Sequence, residues 1–432
     1  MYKVSMGSLG CPKNQVDAEM MLYSLSEAGF QIGAIEAEAD AIIVNTCGFI
    51  ETAKTESINA IFDACAIKAQ TDAKVIVTGC LSERYYDDII SEIPEVDYVF
   101  KLSDNDRIVE KIGEIQQEST ICDRVLTTPP HYAYLKIADG CNNHCAFCAI
   151  PKIRGRYISR PIDDIVEEAK SLVNSYGAKE LIIVAQDTTR YGLDLYGSYK
   201  IVDLLKELTK LDVQWIRLMY CYPELISDEL IEFIATNDKM CKYLDIPMQH
   251  ACDKILSSMK RRNTVQDAHD LIKRIREAGA NISIRSTFMV GFPGETEEDF
   301  KELIEFLEKE RLDNVGFFAY SKEEGTLSYD MKPQVSKKIK NERLKTAFLT
   351  QQKIAFEKLS DCVGKRYKVL YEGIDDKKQL FVGRSEYLAP EIDGKIYFKA
   401  DFCPLIGEFY FVTITDTCDY DLIGEIKNES CE

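Results

Sequence analysis

No apolar run in the 432 residues approaches the roughly 20 needed to cross a bilayer, so no transmembrane helix is expected. Internal repeats and low-complexity tracts are also missing, which excludes solenoid and linker-rich architectures. The opening Met1-Tyr2-Lys3-Val4-Ser5 reads as a strand, not as a charged and then apolar signal peptide, so a cytosolic location is expected. Positive charge is scarce: 53 Lys/Arg face 72 Asp/Glu, a net charge of -19. Such a chain repels phosphate backbones unless a local basic patch intervenes, and it attracts basic proteins. An acidic balance is also an ordinary solubility feature.

What is present describes a folded protein. Hydrophobic residues make up 46% and charged residues 29%, with 23 Gly and 12 Pro, so order is expected everywhere except the last few residues. At roughly 150 residues per domain, the length suggests two or three domains. There are 15 cysteines. In a reducing compartment clustered thiols stay free, and they read as metal ligands or catalysts before disulfides.

The chain divides by pattern. Strand-like runs at Tyr2–Leu9, Ala41–Asn45 and Lys74–Thr78 alternate with helices near Asn14–Ala28 and Thr52–Ala69, a βαβ rhythm that implies a parallel α/β sheet. From Tyr132 the rhythm restarts, with strands at Tyr132–Ala138, Glu180–Ala185, Trp215–Tyr220, Tyr243–Ile246, Ser283–Val290 and Asn314–Ala319. Six units are fewer than the eight of a closed barrel of about 250 residues, so a partial, open (βα)6 barrel fits. A polar helix near Ser336–Ser360 follows. Then short β-branched and aromatic runs at Lys365–Gly373, Leu380–Arg384, Gly394–Lys399 and Gly407–Thr415 suggest a small all-β barrel. The expected domains are residues 1–120, 127–358 and 361–430.

The segment with the clearest chemistry is Cys141-Asn-Asn-His-Cys145-Ala-Phe-Cys148, in the loop after the first barrel strand. Three thiolates at this CxxxCxxC spacing can hold three irons of a 4Fe-4S cube and leave the fourth open to a small chelating molecule. Zinc is the alternative. A closed zinc site takes four ligands, and His144, adjacent to Cys145, is poorly placed to be the fourth.

The spacing, with Phe147 before the last cysteine, resembles the radical S-adenosylmethionine superfamily. The resemblance implies that methionyl amine and carboxylate groups bind the open iron, and that an electron from the cluster splits the carbon–sulfur bond to give a 5'-deoxyadenosyl radical. It further marks Gly291-Phe292-Pro293-Gly294-Glu295-Thr296 as an adenosylmethionine-binding loop, although alone this segment reads equally as a turn and helix cap. Arg285 is a candidate partner for the ligand's carboxylate or else a structural ion pair. Gln186, Asp187 and His250 lie past strand ends and are pocket candidates or satisfied polar residues.

Cys11, Cys47 and Cys80 each follow one of the N-terminal strands. Carboxyl ends of parallel strands share one edge, so three cysteines distant in sequence can converge there. Free cysteine is also a common small buried hydrophobe, the reading given to Cys65, Cys241 and Cys252. The order of an N-terminal three-cysteine domain, a radical core and a small TRAM-like barrel resembles the methylthiotransferases over essentially the whole chain. Ser8-Leu9-Gly10-Cys11-Pro12-Lys13-Asn14, Val16-Asp17, Arg154-Gly155-Arg156-Tyr157 and Ala185-Gln186-Asp187-Thr188-Thr189-Arg190-Tyr191-Gly192 resemble the RimO class, with Ala18 and Ile158 as small departures. That class modifies an aspartate of the twelfth small-subunit ribosomal protein; a sister class modifies an adenosine of transfer RNA.

The resemblance implies two 4Fe-4S clusters, one on Cys141, Cys145 and Cys148 and an auxiliary one on Cys11, Cys47 and Cys80 that carries sulfur. One S-adenosylmethionine supplies the methyl group and a second the radical, and a low-potential electron donor and a sulfur donor are required. Residues 363–432 hold nine Lys/Arg and fourteen Asp/Glu, a net of -5. An acidic barrel suits a basic ribosomal protein and disfavours transfer RNA.

Overall fold

The computed structural model describes residues 2–113 and 124–426. The expected domain ends at 120 and 430, and the disorder expected in the last few residues, lie outside the described residues.

The N-terminal unit is a five-stranded parallel sheet in the order Gln31–Ile32, Lys3–Ser8, Ala41–Thr46, Lys74–Gly79, Tyr98–Val99. Its middle strand, Ala41-Ile-Ile-Val-Asn-Thr46, is buried at every position, as a strand covered on both faces requires. Helix Pro12–Glu27 packs Met21 and Leu25 on one face, and helix Glu51–Lys68 packs Ile61 and Ala64 on the other. The two edge strands are only two residues long and had no readable sequence pattern.

The central unit has six parallel strands. Tyr132–Lys136, Glu180–Val184 and Trp215–Leu218 form one run; Tyr243–Asp245, Ser283–Val290 and Asn314–Ala319 form the other. A single bridge, Ile216 to Met240, joins them into an open arc. Amphipathic helices cover the outside. Helix Ile162–Asn174 buries Ile165, Glu168, Ala169 and Leu172, a 3.6-residue stripe. Helices Val265–Glu277 and Glu297–Glu310 start in capping boxes, Thr264 with Asp267 and Thr296 with Asp299.

The C-terminal unit is a closed barrel of five strands, Arg366–Asp375, Leu380–Ser385, Ile396–Lys399, Asp421–Glu425 and Phe409–Cys418. The fifth, Asp421–Glu425, was absent from the sequence pattern. This barrel docks on the inner face of the arc: Leu370 and Ala389 join Tyr132, Tyr134, Ile182, Trp215 and Tyr243 in one apolar cluster, and Phe409 meets Trp215 edge-on at 4.7 Å. Beneath that cluster Glu180 accepts from Arg217 at 2.7 Å and from Arg384 of the C-terminal barrel at 2.8 Å, all three fully buried. Two guanidiniums on one carboxylate make this a network whose removal on one side leaves uncompensated charge. Among the described residues no helix is long and apolar enough to cross a membrane.

Candidate active site

The carboxyl ends of the three central strands of the N-terminal sheet bring Cys11, Cys47 and Cys80 to one edge. Asn14 ties two of those ends together, donating to the carbonyls of Leu9 at 2.8 Å and Thr46 at 3.3 Å. Two glycines make the approach close. Gly10 has φ +94°, and a Cβ there would stand 2.8 Å from Cys47 Sγ; Gly79 has φ +102°, and a Cβ there would stand 2.3 Å from the Thr46 carbonyl oxygen. Neither position accepts a side chain without displacing the strand end beside it.

Electrostatics separates the three thiols. Burial pushes Cys80 up to about 12 despite Arg154, whose Nη2 donates to its sulfur at 3.6 Å. Cys47 is also raised by burial. For Cys11 burial acts in the same direction, but the neighbouring Lys13 and Arg154 outweigh it and the thiol is lowered.

Cys141, Cys145 and Cys148 lie in the loop after strand Tyr132–Lys136. Burial raises Cys141 to about 11 and lifts Cys148 as well. The backbone N–H of Asn143 donates to Cys141 Sγ at 3.4 Å, and the Asn143 amide donates to Asp187 at 3.0 Å. Asp187 also accepts from Thr189 and from the Arg190 backbone, so it shapes the loop that carries the cysteines. In neither trio do all three sulfurs lie within 4.8 Å of one another. One zinc ion, with Zn–S near about 2.3 Å, would require that closeness, whereas a four-iron cube spreads its ligands wider. All six thiols are free.

The two trios meet across the domain interface. Arg154 follows the second trio and pairs with Asp17 at 2.9 Å and Asp139 at 3.1 Å while reaching Cys80. Cys80 packs with Ala149 and Ile153, the residues just past Cys148. The strand end Tyr220-Cys221-Tyr222 touches both sides: the Lys13 ammonium sits 3.5 Å from the Tyr220 ring centre, and the Tyr222 hydroxyl lies 3.3 Å from Cys145 Sγ. Arg261 stacks on Tyr222 at 3.8 Å and comes within 3.9 Å of Cys145.

The other sequence candidates are distributed unevenly. Phe147 is half-buried against Phe292, Met289 and Tyr320, which joins the cysteine loop to the glycine-containing loop. In that loop Glu295 accepts from the amides of Gly291 at 2.7 Å and Phe292 at 3.2 Å, and Arg343 donates to it at 2.7 Å. The Gly291 amide is therefore engaged, and the space a Cβ would take there is filled by Lys340. The Gly294 amide donates to Pro333, but the space beside its Cα is open. Gln186 Oε1, Gln249 Oε1 and both ring nitrogens of buried His250 make no hydrogen bond among the described residues. Arg285 faces the chain's own carboxylates, Asp393 at 2.6 Å and Asp245 at 3.8 Å. Of its two sequence readings, the structural ion pair is the one these contacts support. Asp187 likewise meets donors of the chain itself, Asn143, Thr189 and the Arg190 backbone.

Residues 135–307 match the radical SAM superfamily, residues 3–101 the uncharacterized protein family UPF0004 and residues 363–426 the TRAM domain. The chain is 46% identical to the ribosomal protein uS12 methylthiotransferase RimO of Thermoanaerobacter sp. (strain X514), over 98% of this chain and 100% of that one. The chain belongs to the RimO family. Identity is again 46% to the RimO protein of Clostridium novyi (strain NT), over 99% of each chain. As a RimO-family member it is a radical S-adenosylmethionine methylthiotransferase, and S-adenosylmethionine and an iron–sulfur cluster belong to that chemistry. Among solved structures, the radical S-adenosylmethionine methyltransferase TsrM of Kitasatospora setae, with cobalamin and a 4Fe-4S cluster bound, is similar at TM-score 0.57 and 15% identity, covering 76% of this chain and 77% of that one. The cobalamin-dependent radical enzyme OxsB is similar at TM-score 0.51 and 11% identity, covering 81% and 56%. These two likenesses show the fold alone.

Within the RimO-family site, sequence reasoning had overlooked Tyr220, Tyr222, Arg261 and the roles of Lys13 and Arg154. Lys13 and Arg154 stood inside quoted motifs, which was an available signal. The two tyrosines carried none.

Proposed function

We propose that this chain methylthiolates the β-carbon of an aspartate in the ribosomal protein uS12, using two S-adenosylmethionine molecules, one as methyl donor and one as radical source. The observation that carries the reading is the meeting of two three-cysteine sets at one interface, each too open for a single ion. Six free thiols in two sets of three fit two 4Fe-4S clusters, one on Cys141, Cys145 and Cys148 and one on Cys11, Cys47 and Cys80. When bound, the clusters supply the electron that cleaves adenosylmethionine and hold the sulfur to be transferred.

The chain's own residues do the rest. Asp187 and Asn143 hold the Cys141 loop, and Arg154 and Lys13 supply positive charge beside the Cys11 set. Phe147, Gln186, Gly294 and His250 are the groups we assign to adenosylmethionine; Gln186 Oε1 and the His250 ring nitrogens accept or donate no hydrogen bond among the described residues, although His250 Nε2 lies 3.5 Å from Glu295. A radical route is needed because the aspartate β-carbon is too weak an acid for a side-chain base of ordinary pKa. The acidic C-terminal barrel favours a basic protein partner over RNA. A low-potential electron donor and a sulfur donor complete the set of partners.

The test is anaerobic incubation of iron-loaded enzyme with adenosylmethionine and reductant, offering uS12 and transfer RNA in parallel, with mass analysis of both. A methylthio group on the uS12 aspartate is expected. Modification of transfer RNA alone would overturn the reading.

A further inference from the structure

We infer that Lys13 reads the carboxylate of the acidic side chain to be modified and so fixes its β-carbon between the two cysteine sets. The inference rests on the substrate reading above and names the residue that recognises it.

Lys13 stands in the first turn of helix Pro12–Glu27, two residues after Cys11, and is only 6% exposed. Burying an ammonium is costly unless an anion or a ring face compensates it. Among the described residues no carboxylate lies within salt-bridge distance of Lys13; its close partner is the Tyr220 ring, 3.5 Å from Nζ to centre. Asp245, a carboxylate that feels the Lys13 charge, is engaged elsewhere, accepting from the Tyr220 backbone at 3.1 Å and facing Arg285 at 3.8 Å. Tyr220 itself has φ +59°, a conformation an aromatic residue holds only when its surroundings impose it. Its ring is thus set under the ammonium by the fold. Two residues on, Tyr222 reaches Cys145, so Lys13 lies on the path joining the two trios.

Besides Tyr220 and the Cys11 sulfur, which is assigned to the cluster, the buried ammonium has no anionic partner among the described residues, and a carboxylate on a ligand would supply one. Two carboxylates are available, that of the substrate side chain and that of adenosylmethionine. Lys13 follows Cys11 by two residues and belongs to the set not assigned to adenosylmethionine cleavage, which favours the substrate.

The test uses iron-loaded full-length enzyme and two labelled uS12 peptides spanning the acceptor position, one with the acceptor aspartate and one with asparagine there. Binding is read by fluorescence anisotropy. A charge-assisted contact predicts that wild type prefers the aspartate peptide by about tenfold or more. In Lys13→Met and Lys13→Gln the preference falls to about twofold or less, and Lys13→Arg keeps part of it. Because the ratio is taken within each protein, general loss of affinity does not imitate the effect, and Lys13→Gln serves if Lys13→Met fails to fold. Retention of the full preference in both neutral variants overturns the inference. So does retained preference with weakened adenosylmethionine binding, which would assign Lys13 to the cosubstrate. Should wild type methylthiolate uS12 without any aspartate preference in binding, the inference fails and the function stands; should it modify only transfer RNA, both fail.

Discussion

The two cysteine sets reach the same interface by opposite routes. Cys141, Cys145 and Cys148 occupy eight consecutive residues of one loop, held by local contacts through Asn143 and Asp187. Cys11, Cys47 and Cys80 span 70 residues and are gathered only because three parallel strands end at one edge, with Gly10 and Gly79 allowing the approach. A loop set depends on its own spacing. A strand-end set depends on the whole sheet and tolerates less backbone change.

That contrast can be broken most severely at the thiols of the loop set. Cys141→Ala or Cys148→Ala removes the site assigned to radical formation, and 5'-deoxyadenosine production should fall by at least about a thousandfold, with iron dropping from about eight to about four per chain. Chemical iron analysis and chromatography of the nucleoside check this. A change that touches neither set provides the control. Glu180→Gln leaves Arg217 and Arg384 facing each other without their shared carboxylate, and should cost about 3–5 kcal/mol in denaturant unfolding. Its effect on iron content should be the same for both sets.

Backbone substitution should separate the sets. Gly79→Ala forces a Cβ against Thr46 and strains a positive φ, costing about 1–3 kcal/mol and depleting iron from the strand-end set first. Gly294→Ala, where the neighbouring space is open, should cost less. Asp187→Asn weakens the support of the loop set alone, and adenosylmethionine cleavage should fall about tenfold with the other iron site retained. Smallest is a pH effect. Cys141 and Cys148 are raised by burial, so each must lose a proton to bind iron, and uptake should strengthen as pH rises from about 6.5 to 8.5. In the strand-end set Cys47 and Cys80 are raised as well, but Cys11 is lowered and releases less of its proton on binding, so that set should show the shallower slope in metal titrations.

The same contrast explains what could be read in advance. The loop set was legible because ligand spacing lies within one short segment. The strand-end set needed a topological step, from βαβ rhythm to a shared sheet edge, and the rhythm was strong enough to supply it. Six barrel strands announced themselves by β-branched runs, with Ser283–Val290 and Asn314–Ala319 ending where the pattern ended. Strand Asp421–Glu425 did not, because the run read from the sequence stopped at Thr415 and the polar stretch Asp416-Thr-Cys-Asp-Tyr-Asp421 that follows carries no strand pattern. Arg285 could not be resolved between a ligand and an ion pair, since its partner Asp393 belongs to the other barrel. Tyr220 was silent for the same reason, since its significance comes from Lys13 of another domain; Tyr222 was silent because only the folded arc brings Cys145 and Arg261 of its own unit against it.

The division of labour between the sets is tested most directly in the Cys80→Ala enzyme, iron-loaded and incubated anaerobically with adenosylmethionine, reductant and uS12. The account predicts 5'-deoxyadenosine without methylthio-aspartate. Methylthio-aspartate formed at the wild-type rate would contradict it.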